Sequence, residues 1–87
     1  MTQTELVKSY RKGSRSFIGV DLQGASLMYL VLRGSDFRHA NLKFADFSHC
    51  DLRGAKFRGA NLIGTVFTGA KLGPISWLVV WWKKRYG

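Results

Sequence analysis

From Phe17 to Leu72 every fifth residue is Leu or Phe: Phe17, Leu22, Leu27, Leu32, Phe37, Leu42, Phe47, Leu52, Phe57, Leu62, Phe67 and Leu72. Twelve of the sixteen Leu and Phe residues in the chain stand in this one column, so a period of five organises most of the molecule. Neither regular secondary structure repeats in this way, since a helix repeats apolar residues at three and four and a strand at two. The other columns keep the same period. Two places before the Leu/Phe stand small residues: Ala25, Ser35, Ala40, Ala45, Cys50, Ala55, Ala60, Thr65 and Ala70. Two places after stand Gly19, Gly24, Gly34, Gly54, Gly59, Gly64 and Gly69, as suits a corner that needs backbone freedom. Immediately before stand Asp21, Asp36, Asn41, Asp46, Asp51 and Asn61, short enough to bond neighbouring backbone in tight turns.

One five-residue unit cannot bury its own apolar side chain, whereas many units wound into a coil can stack theirs inward. Runs such as Ala40-Asn41-Leu42-Lys43-Phe44, Ala45-Asp46-Phe47 and Ala60-Asn61-Leu62-Ile63-Gly64 resemble the pentapeptide-repeat family, whose pattern is A(D/N)LXX. The resemblance covers residues 15–74. It implies an all-β fold, a right-handed quadrilateral β-helix in three coils of four pentapeptides. Three organisational parts follow: an N-terminal capping segment over residues 1–14, the β-helix over 15–74, and a Trp-rich basic docking tail over 75–87.

A thin three-coil core needs its ends shielded. Thr2 or Thr4 is placed to cap a short helix running through Arg11 and ended by Gly13, with Leu6, Val7 and Tyr10 as the apolar patch that covers the first coil. The start of the chain lacks the apolar run of a signal peptide, which gives a cytoplasmic expectation. A single cysteine, Cys50, stands in the small inward column and reads as a buried thiol in the role of Ala. His39 and His49 are half a coil apart and share no third ligand, so no metal site, cofactor site or catalytic constellation is expected, and the chain reads as a non-enzyme.

Fourteen Lys and Arg against five acidic residues give a net charge of +9. Arg33, Arg38, Lys43, Arg53 and Arg58 all follow an inward Leu/Phe and face outward, with Arg38 over Arg58 and Arg33 over Arg53, a docking surface for an anionic partner. Members of the resembled family that confer fluoroquinolone resistance imitate the shape and negative charge of duplex DNA; a charge of +9 excludes that role here. In the corner column Tyr29, His39, Phe44 and His49 replace Gly. They are read as a recognition band projecting into solvent, with Tyr29 stacked on His49.

After Pro74 the chain becomes Ile75-Ser76-Trp77-Leu78-Val79-Val80-Trp81-Trp82-Lys83-Lys84-Arg85, a helix by its leading Pro, although the β-branched valines leave a strand open. On a helix Trp77, Val80 and Trp81 share one side and Leu78 and Trp82 another. This eight-residue, largely apolar segment is too short to span a bilayer. One side of the segment can cap the third coil, and the remainder sets Trp and Leu beside Lys83, Lys84 and Arg85, which suits a protein groove or an anionic membrane surface. The expectation is a non-enzymatic interaction module that docks on a larger assembly, at a membrane surface in one version. Electrostatic nucleic-acid binding is the alternative, and a homodimer through an end of the stack is a further option. Through the resemblance, a photosynthetic or membrane-associated complex is the implied setting.

Overall fold

Parallel bridges join residues twenty positions apart: Ser16 to Asp36 to Lys56, Asp21 to Asn41 to Asn61, Ser26 to Asp46 to Val66, and Val31 to Asp51 to Lys71. Four pentapeptides therefore complete one turn, and residues 15–74 form three stacked coils of a β-helix-like architecture. The computed structural model describes residues 1–86; the side chains of Ile75, Ser76, Trp77, Lys84 and Tyr86 lie outside the described residues. Only β1 (Asp51–Leu52) and β2 (Lys71–Leu72) pair over more than one residue. The remaining contacts are single-residue bridges rather than the longer strands of an ordinary sheet. The cause is the period itself, because each side of the coil has only two or three extended residues before the chain turns.

Wherever a small residue stands two places before the next Leu/Phe, the turn closes as it donates its N–H to the carbonyl of the Leu/Phe three positions earlier, as from Ala45 to Leu42 at 2.9 Å and from Ala60 to Phe57 at 3.0 Å. The third residue of such a turn must take positive φ. The Asp/Asn column supports the same bend from outside, its side chain accepting the N–H two residues on, from Ser48 to Asp46 at 2.9 Å and from Ile63 to Asn61 at 3.1 Å.

The Leu/Phe column is the core. It is buried from Phe17 through Leu62, and Phe67 and Leu72 at its far end are half-buried. Phe17, Phe37 and Phe57 form a stacked column with centroids 5.6 Å apart; Phe47 and Phe67 stack at 5.5 Å half a turn away, and Phe37 meets Phe47 edge-on. Each such burial is worth roughly 1.5–3 kcal/mol, which makes this column the main source of stability.

The small column lies between core and backbone. Cys50 Sγ donates to the Leu27 carbonyl at 2.6 Å, and Thr65 Oγ1 to the Leu42 carbonyl at 2.7 Å, each reaching back 23 residues. Burial pushes the Cys50 thiol pKa up. The residue 23 places before Ser35 is Lys12, which caps the N-terminal helix instead of belonging to a coil. Ser35 Oγ is consequently buried with no partner among the described residues.

Both ends carry helices. The first, α1 (Gln3–Arg11), starts at Thr2, whose hydroxyl accepts the Glu5 N–H while Glu5 accepts the Thr2 N–H. Leu6 enters the core, and Arg15 lies 3.6 Å from the centre of the Tyr10 ring, fastening the helix to the first coil. The second, α2 (Pro74–Tyr86), is the helix expected from Pro74.

Ser35→Ala removes an unsatisfied buried hydroxyl and restores the residue usual in its column. It is expected to raise stability by about 1 kcal/mol in urea unfolding; an unchanged or lower midpoint would contradict the orphaned hydroxyl.

Candidate interaction surface

The corner residues Tyr29, His39, Phe44 and His49 have φ of 61°, 60°, 61° and 59°, in the left-handed region where a side chain is strained. All four are exposed, and three of them also rest against a neighbouring coil. A Cβ at Gly59, Gly64 or Gly69 would collide with the ring of His39, Phe44 or His49 respectively. Each ring thus packs against the glycine twenty positions later, using the space left by the missing side chain. Tyr29 stacks on His49 as expected, with centroids 4.9 Å apart and planes 13° from parallel. Tyr29 and Phe44 nevertheless keep 71% and 56% of their surface exposed. They stand on different sides of the coil, and the two histidines point away from each other.

The outward basic column also differs from an open cationic face. Arg38 binds the Asp36 carboxylate through Nε at 2.9 Å and Nη2 at 2.7 Å, and Arg53 binds Asp51 the same way at 2.9 and 2.8 Å. Arg33 Nε donates to Asp51 as well, so one carboxylate lies between two stacked guanidiniums and removes the repulsion that their alignment would otherwise cause. Lys43 lies with its ammonium 5.6 Å from the Phe44 ring centre. Arg58 makes no ion pair among the described residues. Asp36 and Asp51 do double duty, holding turns and neutralising the Arg two places on. Column counting shows where an Arg stands but not which carboxylate it reaches.

These pairs leave the charge unevenly distributed along the rod. Residues 52–87 hold Arg53, Lys56, Arg58, Lys71, Lys83, Lys84 and Arg85 and no Asp or Glu; the first 51 residues hold the other seven cations and all five acids. Seven of the nine net positive charges therefore belong to the C-terminal end, where α2 lies. This end carries the surplus because within the coils acids occupy only the leading column, and after Asp51 that column reads Lys56, Asn61, Val66 and Lys71.

Across that end α2 turns Val80 into the core, with Val79 half-buried beside it. Leu78, Trp81 and Trp82 remain 54%, 44% and 56% exposed. The sequence places Val80 and Trp81 on one side of the helix; in the structure the boundary of the contact with the third coil falls between them. The Arg85 guanidinium lies 5.4 Å from the Trp81 ring centre. The side chains of Trp77 and Lys84, both expected in the docking tail, lie outside the described residues. Beside α2 runs a groove of about 560 Å³ lined by Phe57, Pro74 and Val79 and by the cations Arg38, Lys56 and Arg58. No described helix is long and apolar enough to cross a membrane.

Two measurements test this geometry. Gly24 and Gly64 share a left-handed φ near 70°, but only Gly64 lies under a ring. Gly24→Ala is expected to cost about 1 kcal/mol from backbone strain alone, and Gly64→Ala clearly more because Phe44 must also move; equal urea midpoints would sink the ring-on-glycine packing. The second concerns acid. Arg53 first, and Arg33 with it, hold the Asp51 carboxyl far below the usual carboxylate range against the opposing effect of burial. A depressed native pKa stabilises the fold above the unfolded value of about 4, and that stabilisation is lost as pH falls through the native value. Asp51→Asn should be less stable at pH 7 and lose less between pH 5 and pH 2 than the parent chain; parallel pH profiles would contradict the pairing.

Comparison with known proteins agrees with this architecture. The family model described as pentapeptide repeats matches residues 16–54 and 45–73 in eight copies. Among curated proteins no relative matches the chain. With a twenty-residue bridge spacing, an inward Leu/Phe at every fifth position and a family match over most of its length, this chain belongs to the pentapeptide-repeat family.

Proposed function

We propose that the chain is a non-enzymatic docking module whose C-terminal end binds a protein partner bearing an acidic and hydrophobic surface. Pentapeptide-repeat proteins are generally structural or interaction modules. In the scaffold we take the winding to be the right-handed, four-sided β-helix of the family; the bridges at twenty-residue intervals support its four sides.

The observation that carries the docking function is the division of labour in α2. Val79 and Val80 satisfy the capping requirement, yet Leu78, Trp81 and Trp82 stay exposed at the end of the rod that holds seven cations and no acidic side chain. Exposed Trp flanked by Lys and Arg is typical of an interface anchor. Arg58, Lys56 and Lys71 extend the cationic surface onto the third coil; Arg33, Arg38 and Arg53 contribute less, since each already holds a carboxylate. The corner residues Tyr29, His39, Phe44 and His49 are secondary contacts. The assembly we envisage is cytoplasmic, on the inner face of a membrane in one version, where the same Trp and cations meet anionic headgroups. The acid-free C-terminal stretch also supports nucleic-acid contact as a second reading, which predicts steep salt dependence and indifference to the Trp residues.

Trp81→Ala with Trp82→Ala is expected to release co-purified protein from the tagged, nuclease-treated chain by ten-fold or more, with the far-UV circular dichroism unchanged. Full retention of partner by the folded double variant would overturn the docking reading. In a parallel preparation without nuclease, loss of only nuclease-sensitive material with Lys56→Glu, Arg58→Glu and Lys71→Glu would favour nucleic acid.

A further inference from the structure

Successive coils are joined by one repeated backbone pattern. The inward residue and the corner residue of a coil donate to carbonyls of the next coil, Phe47 N–H to Val66 O and His49 N–H to Thr68 O, both at 2.8 Å. The leading residue of the later coil donates back, Val66 N–H to Ala45 O at 2.9 Å. Phe67 and Gly69 occupy the positions of Phe47 and His49 one coil further on, and no fourth coil lies beyond them. Among the described residues nothing accepts their N–H groups. The first coil ends on the complementary groups, surplus carbonyls, and the chain fills two of them itself: the Met1 ammonium donates to Asp21 O at 2.9 Å and the Tyr10 hydroxyl to Arg33 O at 2.9 Å. The two ends of the rod are thus chemically opposite, and at the N-terminal one the helical segment supplies polar caps.

At the C-terminal end α2 covers one half better than the other. Phe57 and Leu62 are 1% and 5% exposed, whereas Phe67, Ala70 and Leu72 are half-buried. Among the described residues the N–H groups of Phe57, Gly59, Leu62 and Gly64 likewise find no acceptor, but these lie over the covered half, whereas at Phe67 and Gly69 the unanswered N–H groups coincide with incompletely covered core. Lys71, exposed, stands on the same stretch, and no acidic side chain follows Asp51 in the chain.

We propose that residues 65–72 form an acceptor edge for strand addition, and that its occupant is an extended acidic segment of a partner protein. Two carbonyls of that segment, two residues apart, accept from Phe67 and Gly69 in the register that Val66 and Thr68 use toward the second coil. Its inward apolar side chain covers Phe67 and Leu72, and its carboxylates meet Lys71 and the other cations of this end. Main-chain bonds supply affinity in such an addition, and side chains supply selectivity. This rests on the docking function proposed above and names how the partner is held. A second copy of the chain fits less well: two C-terminal ends in this register would set N–H against N–H, and the N-terminal end is occupied by α1, Met1 and Tyr10.

The test uses the full chain, 15N-labelled, and a synthetic peptide with the sequence of residues 45–52 in which Cys50 is replaced by Ala. In the folded chain that segment packs directly on residues 65–72, so it carries the correct spacing of Asp46, Phe47, Asp51 and Leu52 for a fourth layer. Saturating peptide is expected to slow amide hydrogen exchange at Phe67 and Gly69 about ten-fold or more, and replacing both Asp by Asn should weaken binding about five-fold or more. The inference is overturned if these two amides exchange unchanged, if they are already protected in the free chain, or if a scrambled peptide of equal charge protects them as well. Concentration-dependent protection without peptide would overturn it in favour of self-association. Because the peptide assay does not use the native partner, a negative result together with a partner lost through Trp81→Ala and Trp82→Ala would remove strand addition while leaving the docking function standing.

Discussion

A hydrogen bond from each small residue to the Leu or Phe three places before it bends the chain once every five residues, and the rest of the structure follows from that bend. Because four bends complete a turn, residues twenty apart lie in register and the backbone of each coil bonds to the next. The inward side chains then have no choice of neighbours. Phe37 must stack between Phe17 and Phe57, and Leu42 must lie among the residues of its own layer and the layers on either side. Packing and hydrogen bonding here are one constraint seen from two directions. That is why two-residue strands suffice where an ordinary sheet needs longer ones.

The same constraint decided how much could be read from the sequence. Positions modulo twenty are arithmetic, so the core column, the burial of Cys50 and the stack of Tyr29 on His49 were all legible. The caps were legible for local reasons, through the Thr2 and Glu5 pair and the leading Pro74. Side-chain choice within a position was not. Arg33 could have reached solvent; it turns instead to Asp51, already held by Arg53, because two aligned guanidiniums need a shared anion. Nor did column counting reveal that the corner rings lie over glycine, since that depends on the tilt of a ring and not on its place in the repeat.

The surface that matters for contact arises from what the repeats leave unfinished. A coil stack satisfies its interior groups without help and has surplus groups only at its two ends. One end is closed by α1, whose Leu6, Tyr10 and terminal ammonium meet both the apolar and the polar requirements. At the other, α2 supplies valines to the core and presents its larger apolar residues outward. The cations collect at this second end because the leading column there loses its Asp, so the unfinished end is also the charged one. In the interior of the rod Asp36 and Asp51 balance their neighbouring arginines, which directs attraction for an anionic partner away from the sides and toward the tip.

Rings resting on glycines also govern how such a chain can change length. Adding or deleting one pentapeptide would rotate every later residue by one side, placing Phe44 and His49 over corners other than those now held by Gly64 and Gly69. A change of twenty residues keeps the sides aligned, but a duplicated middle coil would set Phe44 over another Phe44 and postpone the glycine by one layer. The molecule can therefore grow by whole layers at its glycine-rich coils and resists insertion around its aromatic one, so the middle coil acts as a fixed marker within an otherwise extensible repeat.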